Sequence, residues 1–206
     1  MVTAARARDA FADVARAIEE RQAELDRLDA VTGDGDHGAT MVMGLRAVTA
    51  ALPEDEDSVA ELLRIAAGRF ASVGGTTGPL WGTALLRAAQ SLGGAGASDL
   101  PAMAAAVAAA AQGIADRGRC AEGDKTLLDV MGPASRALSA AAASGADPAD
   151  AVRQACDAAR AGLAATRDLE PKHGRARLAS DRSRGHEDAG AASAVIVWET
   201  AAVYVR

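Results

Sequence analysis

The chain has 206 residues, of which 50% are hydrophobic but only 2% aromatic, so its core is predicted to consist of small side chains in closely packed helices rather than of β-strands. The formal net charge of -6 argues against a broad nucleic-acid surface, and no apolar run reaches the length of a membrane span, about 20 residues. Since the N-terminus also carries no apolar signal segment, we expect a cytoplasmic protein with a single domain over residues 1–206.

Helical periodicity begins near the N-terminus, where Phe11, Val14 and Ile18 are spaced to form one apolar stripe. Each of the later apolar stripes also has helical spacing, and they lie in the segments 59–70, 100–114, 127–138 and 152–163. Each segment is therefore predicted to be an amphipathic helix that buries one face.

Helix start signals agree with these stripes. Ser58 and Asp99 are suited to cap the helices that follow them, and Asp147 precedes a proline at the first helical position. The apolar run 195–198 is the best strand candidate, but its Ala-rich surroundings favour a buried helix. We therefore predict an all-α protein with about eight helices and no sheet.

The first interruption of the helical pattern is an acidic, glycine-rich loop over residues 33–38. Asp29 lies on the last turn of the preceding predicted helix, and Asp34 and Asp36 alternate along the loop, so all three carboxylates can turn toward one point. Such oxygens suit a hard cation, and Mg²⁺ shared with a nucleotide phosphate fits better than an EF-hand, whose twelfth position falls on Leu45. A flexible polar turn with capping aspartates is the alternative.

The second interruption, over residues 73–79, is a neutral glycine loop ahead of a helix predicted to begin at Pro79. Backbone N–H groups at a helix start bind anions, and Thr76 and Thr77 add hydroxyl donors, so phosphate binding competes with an ordinary helix connection. The segment 118–126 resembles a P-loop, but Asp124 separates glycine from lysine and no strand precedes it. We interpret Gly123 and Asp124 as the turn and cap of the next helix.

The third interruption, 171–190, contains many basic side chains within an acidic chain. The basic side chains between Lys172 and His186 face one acid, Asp181. Arginine forks match phosphate oxygens, so the loop is predicted to be a cationic lid or a partner surface; the alternative is a solvated loop whose arginines reflect coding bias. Asp188 then opens the last helix at another anion site.

Four motifs together resemble the nucleotide-binding (L) subunit of dihydroxyacetone kinase, the DhaL family. They are Asp29 with GDGDHG, GGTTGPLWGT, GDKTLLDV and GRARLASDRSRGHEDAGAAS, in the order and spacing of that family from about residue 29 to 193. The resemblance implies an eight-helix antiparallel up-and-down barrel with a nucleotide site at one rim.

The resemblance also implies site residues. Two Mg²⁺ ions would be held by Asp29, Asp34 and Asp36, and Arg175 would neutralise charge on the transferring group. The residues that would contact ATP or ADP are His37, Gly38, Ala39, Thr40, Thr76, Thr77, Gly123, Arg175, Asp188, Ala189 and Gly190, with Val130 and Met131 near the adenine. A histidine of the partner, not of this chain, would hold the ketose, so no general base is expected here.

This sequence departs from the family pattern in several places. Around Leu178 the arginine loop lacks a tyrosine and gains Arg177, and Ala189 replaces a proline. Thr40 replaces an asparagine, and the pair 76–77 replaces Ala-Ser. Because the three aspartates are intact, the departures concern partner recognition and the acceptor rather than nucleotide binding.

The family implies that a phosphoryl group passes from Mg-bound ATP, or from a tightly held ADP/ATP cofactor, to dihydroxyacetone or a similar short ketose on a separate K subunit. This chain would be inactive alone, and a phosphotransferase-system M subunit or a homodimer are further expected partners. Alternatives are an L-type subunit of an erythrulose or other sugar kinase, and a non-catalytic nucleotide-sensing module that binds a regulator. A fatty acid kinase module is disfavoured, because that protein carries further domains.

Overall fold

The computed structural model describes residues 1–93 and 97–205, and within them it is helical almost throughout. The ten α-helices of these residues are α1 (Ala4–Glu20), α2 (Gln22–Ala30), α3 (His37–Thr49), α4 (Val59–Ala71), α5 (Thr77–Leu92), α6 (Leu100–Gly118), α7 (Leu128–Ala143), α8 (Pro148–Ala165), α9 (Ser180–Ser183) and α10 (Ala189–Ala201). Short 3₁₀ turns cover Thr166–Asp168, Ala176–Ala179 and Ala202–Tyr204. The predicted all-α class is confirmed.

The helix count differs from eight for two local reasons. The first helix is broken at Arg21, whose N–H bonds to the carbonyls of Ile18, at 3.2 Å, and Glu19 rather than to the carbonyl four residues earlier. The second reason is α9, a single turn within the arginine loop. When α1 and α2 are taken as one broken helix, eight long helices remain in the described chain.

These long helices form a closed ring. Each packs on its neighbours in the chain, and α10 packs on both α8 and α1. Most connections are short, which makes neighbouring helices antiparallel. The longest described connection runs between α8 and α10. Its two ends are adjacent, because the N–H of Asp188 bonds to Thr166 Oγ1 at 3.1 Å. The result is an up-and-down barrel.

Small side chains form much of the barrel wall. Fully buried alanines such as Ala66, Ala134, Ala159 and Ala194 let neighbouring helices approach closely. The interior is apolar and holds a cavity of about 270 Å³, lined by side chains that include Leu45 and Met131. In the described part of the chain, no helix is long and apolar enough to span a membrane.

The prediction of no sheet is wrong at one small feature. β1 (Val2–Thr3) pairs antiparallel with β2 (Ala97–Ser98), with Val2 opposite Ser98. Two residues are too few to produce an alternating pattern, and the pairing arises because the fold brings the N-terminus beside the start of α6. The ribbon therefore follows from tertiary structure.

Helix capping differs between the two rims of the barrel. Because neighbouring helices alternate in direction, α1, α4, α6 and α8 start at one rim, and their N-cap side chains, Thr3, Ser58, Asp99 and Asp147, each accept a backbone hydrogen bond. The caps predicted at Ser58, Asp99 and Asp147 are confirmed. At the opposite rim, where α3, α5, α7 and α10 start, no bond from the N-cap side chain is present within the described residues except at α10.

Candidate functional site

The acidic glycine loop lies at the rim where three helix starts lack a side-chain cap. Asp29 is half-buried on α2, while Asp34 and Asp36 are exposed in the turn before α3. One carboxylate oxygen from each of the three lies within 4.8 Å of the other two. Three convergent carboxylates are a donor set that suits Mg²⁺, with further positions left for phosphate oxygens and water.

Backbone hydrogen bonds shape this loop around Asp29. Its Oδ2 accepts the N–H groups of Gly35 at 2.8 Å and Asp36 at 3.1 Å. A Cβ atom at Gly33 would lie 2.4 Å from Asp29 Oδ1, so a side chain at residue 33 would displace this carboxylate from its present position. Glycine therefore has a steric role beside the predicted metal ligands.

His37 joins three helix starts at this rim. Its Nε2 lies 2.9 Å from Ser193 Oγ on α10, and its Nδ1 lies 3.3 Å from Thr77 Oγ1 on α5. Burial lowers the pKa of His37, although Asp29 and Asp26 act in the opposite direction. With a hydroxyl beside each ring nitrogen, the imidazole links the starts of α3, α5 and α10.

The first turn of α3 packs tightly on α2. A Cβ atom at Gly38 would lie 2.4 Å from the carbonyl oxygen of Gln22, so only glycine allows this approach. Asp26 Oδ1 accepts the N–H of Ala39 at 3.1 Å, a contact that the sequence analysis missed. Its signal was present, since Asp26 lies one helical turn before Asp29. Thr40 follows in the same turn, its N–H bonded to the carbonyl of Asp36.

The neutral glycine loop enters α5 two residues earlier than predicted, at Thr77 rather than Pro79. Thr76 is the exposed N-cap residue, and Pro79 fits in the first turn because its missing N–H would have no partner there. Gly78 lies so close to the end of α4 that a Cβ atom would meet the carbonyl oxygen of Val73 at 2.2 Å. The loop thus holds the start of α5 beside His37.

The third motif folds differently from the prediction. The N–H groups of Gly123 and Thr126 donate to Asp129 at 2.5 and 2.6 Å, and α7 begins only at Leu128. Asp124 is therefore not the cap of this helix. Its carboxylate instead bonds to side chains of the arginine loop, because the barrel brings that loop against the turn.

Arg175 reaches the carboxylate loop, where its guanidinium forms an ion pair with Asp34. Arg184 pairs instead with Glu170 at 3.3 Å, whereas Arg177 and Arg182 are exposed, as is Leu178 at 83%. The structure thus brings one arginine of the predicted cationic lid to the aspartates.

Asp188 caps α10, since its Oδ2 accepts the N–H of Ala191 at 2.8 Å. Burial raises the pKa of Asp188 to about 6, with Asp129 acting in the same direction and the Ala191 N–H and Lys125 opposing it. Ala189 is buried, and a Cβ atom at Gly190 would lie 3.8 Å from Leu127, so this helix start adjoins the turn before α7.

Two predicted residues are buried in the first turn of α7, which starts at this rim. Val130 is fully buried in the core of α7, and Met131 is buried with its side chain lining the interior cavity. Neither side chain is exposed at the rim in the described structure. Their proposed place beside an adenine stays a prediction.

The arrangement combines two kinds of charge. Carboxylates that suit a divalent cation lie beside one arginine, and helix starts with positive dipole ends converge on the same rim. A metal-bound phosphate chain is the ligand class that such a site accommodates.

Comparison with known proteins gives consistent matches. A family model described as the DAK2 domain matches residues 31–203. The chain is 40% identical over 197 residues to a D-erythrulose kinase of Mycolicibacterium smegmatis, covering 94% of this chain and 34% of that protein. It is 33% identical over 188 residues to the ADP-binding subunit DhaL of a PEP-dependent dihydroxyacetone kinase of Listeria innocua, covering 90% and 89%.

A solved structure matches as well. The dihydroxyacetone kinase of C. freundii in complex with AMP-PNP and Mg²⁺ superposes with a TM-score of 0.72 at 25% identity, covering 98% of this chain and 34% of that one. The chain thus spans about a third of the erythrulose kinase and of this structure, but most of the Listeria subunit.

Proposed function

The chain belongs to the DAK2 domain family, and from that premise we propose that it is the nucleotide-binding part of a short-ketose kinase. It would transfer a phosphoryl group from Mg-bound ATP, or from a tightly held ADP/ATP cofactor, to dihydroxyacetone or a related ketose. Relatives named as an erythrulose kinase and as an ADP-binding subunit of dihydroxyacetone kinase support this reaction class. The shared apolar core of the long helices supports one domain over residues 1–206.

One observation carries the proposal: the carboxylates of Asp29, Asp34 and Asp36 converge within 4.8 Å at the rim that Arg175 also reaches. This donor set fits Mg²⁺, and we propose that the three aspartates hold two ions. When bound, Mg²⁺ supplies charge neutralisation for the phosphates.

This chain's own residues would bind and orient the nucleotide. Because α3 and α5 start at this rim without an N-cap side-chain bond in the described structure, the N–H groups of His37, Gly38, Thr77 and Gly78 are available to phosphate oxygens, whereas that of Ala39 donates to Asp26. Arg175 would neutralise charge on the transferring group, as positioning and electrostatics dominate phosphoryl transfer. Gly123 and residues 188–190 lie at the starts of α7 and α10 on the same rim, which supports their proposed contact with the nucleotide.

The acceptor would be held by another subunit or by another part of a longer chain. This chain covers only 34% of the erythrulose kinase but 89% of the Listeria subunit, so relatives of both kinds exist. We propose a ketose-binding K partner, without which this chain is inactive. A phosphotransferase M subunit, a homodimer and a cytoplasmic location remain hypotheses of the sequence analysis.

Calorimetric titration with ADP, with and without Mg²⁺, tests the proposal. Wild type is expected to bind only with Mg²⁺, and Asp34→Asn should weaken that binding by at least about tenfold because a ligand carboxylate is lost. Asp55→Asn is the matched control, since it removes an exposed carboxylate between α3 and α4, at the other rim. Equal affinity of both variants would refute the metal assignment.

A non-catalytic module that binds a regulator is the second candidate. The exposed Leu178 beside Arg177, where the family pattern has neither residue, favours a partner surface of its own. Phosphorylation of the ketose after addition of a K partner would exclude this candidate.

A further inference from the structure

Lys125 holds both ends of the arginine loop with one buried ammonium group. Its Nζ donates to the carbonyl oxygens of Ser183 at 2.8 Å, His186 at 2.9 Å and Leu169 at 3.3 Å. Leu169 precedes the loop, while the other two carbonyls lie at its end. The three donors of the ammonium thus have three acceptors, which offsets the cost of burying the charge.

The backbone at Lys125 is adapted to this contact. Its φ is +58°, a left-handed conformation that residues other than glycine rarely adopt. Such a conformation persists where the surrounding contacts determine it. Here it directs a long side chain inward, under the loop, rather than into solvent.

Asp124 holds the first arm of the same loop. Its carboxylate lies 2.7 Å from Lys172 Nζ and 2.9 Å from His173 Nε2, and its own carbonyl accepts the N–H of Lys172 at 3.2 Å. The Lys172 ammonium, with the N–H of Ala121 and His173, holds the pKa of Asp124 well below its usual range. The carboxylate is buried and ionised, so removing its charge weakens its bonds to the side chains of Lys172 and His173 and to the N–H of Ala121.

Arg175 depends on this support. It follows His173 by two residues, and its own side chain is 68% exposed, with Asp34 as its ion-pair partner. An exposed arginine loses much side-chain entropy when it is held in one place, so the backbone that carries it has to be fixed by other contacts.

We propose that Asp124 and Lys125 are positioning residues that fix the segment 169–186 so that Arg175 faces the aspartate cluster and the nucleotide phosphates. The effect on the nucleotide rests on the proposed function. The effect on the loop does not, and the two can be measured separately.

Limited trypsin digestion of the full chain measures the loop directly. Lys125→Met keeps the length of the side chain but removes the ammonium, and it is expected to raise cleavage after Arg177 and Arg182 by about tenfold or more, because the loop opens more often. Asp124→Asn is expected to do the same to a smaller extent and provides the test if the first variant does not fold. Leu62→Ala, a core change in the cluster of Val59 and Ala4, controls for general destabilisation.

A double-mutant cycle with Mg-ATP tests the action through Arg175. When Arg175 is present, Lys125→Met is expected to weaken binding of a non-hydrolysable ATP by about tenfold. When Arg175 is already replaced by alanine, the same change should weaken binding by less than about twofold. Lys125→Arg, which keeps a cation, should recover part of the affinity. Full additivity in the cycle would mean a merely structural role and would overturn the proposal.

The loop measurement separates the two hypotheses. If wild type binds no nucleotide, the proposed function fails. The cleavage rates alone then decide whether Asp124 and Lys125 act as a clamp on the segment 169–186. Cleavage that is no faster in Lys125→Met and Asp124→Asn than in a Leu62→Ala protein of equal melting temperature would overturn the clamp itself.

Discussion

Replacing Asp188 by asparagine is expected to stabilise the protein at neutral pH and to leave its stability almost unchanged near pH 4. Burial raises the pKa of the folded carboxyl to about 6, against an ordinary value of 3.8. The folded state therefore keeps a proton that the unfolded state releases, and stability falls as the pH rises from about 3.8 to about 6. Above that window the ionised carboxylate costs up to about 3 kcal/mol, at about 1.4 kcal/mol per pKa unit, and solvent screening lowers this figure because Asp188 is only half-buried.

Asparagine caps helices about as well as aspartate, so the Ala191 bond should persist in the variant. Urea unfolding of both proteins at pH 4 and 7, in EDTA, gives the difference in free energy at each pH. Asp147→Asn, at the cap of α8 on the opposite rim, is the matched control for loss of a cap carboxylate. A difference between wild type and Asp188→Asn that stays constant between the two pH values would refute the argument.

Three further changes test the packing and the site. Gly78→Ala should lower the free energy of unfolding, measured with urea, by more than about 2 kcal/mol, because its Cβ would overlap two backbone carbonyls. Gly68→Ala is the control, since its Cβ would meet open space, and it should raise that free energy by about 0.5 to 1 kcal/mol. Equal effects of the two substitutions would contradict the packing. Ser98→Ala removes a buried hydroxyl without a partner among the described residues and should raise the unfolding free energy by up to about 1 kcal/mol; a loss above that size would reveal a missed partner. Arg175→Ala should weaken the binding of Mg-ATP, measured by calorimetry, about tenfold. Arg184 is also exposed, but it pairs with Glu170, so Arg184→Ala should leave the affinity unchanged. Equal losses of affinity in the two variants would show that Arg175 is not part of the site.

Much of the site could be predicted because its parts are local in sequence. Asp34 and Asp36 lie in one short loop, and Asp29 lies one turn before it, so glycine and alternation sufficed to predict their convergence. The resemblance to a known family added Arg175, whose contact with Asp34 spans most of the chain. No local pattern predicts such a contact.

Other features depend on the assembled barrel. Asp124 resembles an N-cap in the sequence, and only the packing of the arginine loop turns its carboxylate toward Lys172. Val130 and Met131 have the spacing of a helix, but periodicity does not distinguish a wall of a ligand site from the core. In the structure both belong to the core.

The sequence by itself determined the long helical segments, the caps at Ser58, Asp99 and Asp147 and the acidic loop, because each depends on residues within a few turns of one another. The tertiary structure decided which ends meet. In a closed antiparallel barrel every second helix starts at the same rim, so Thr77 and Ser193 reach His37 from 40 and 156 residues away. Ring closure, rather than any local preference, places the motifs around one site.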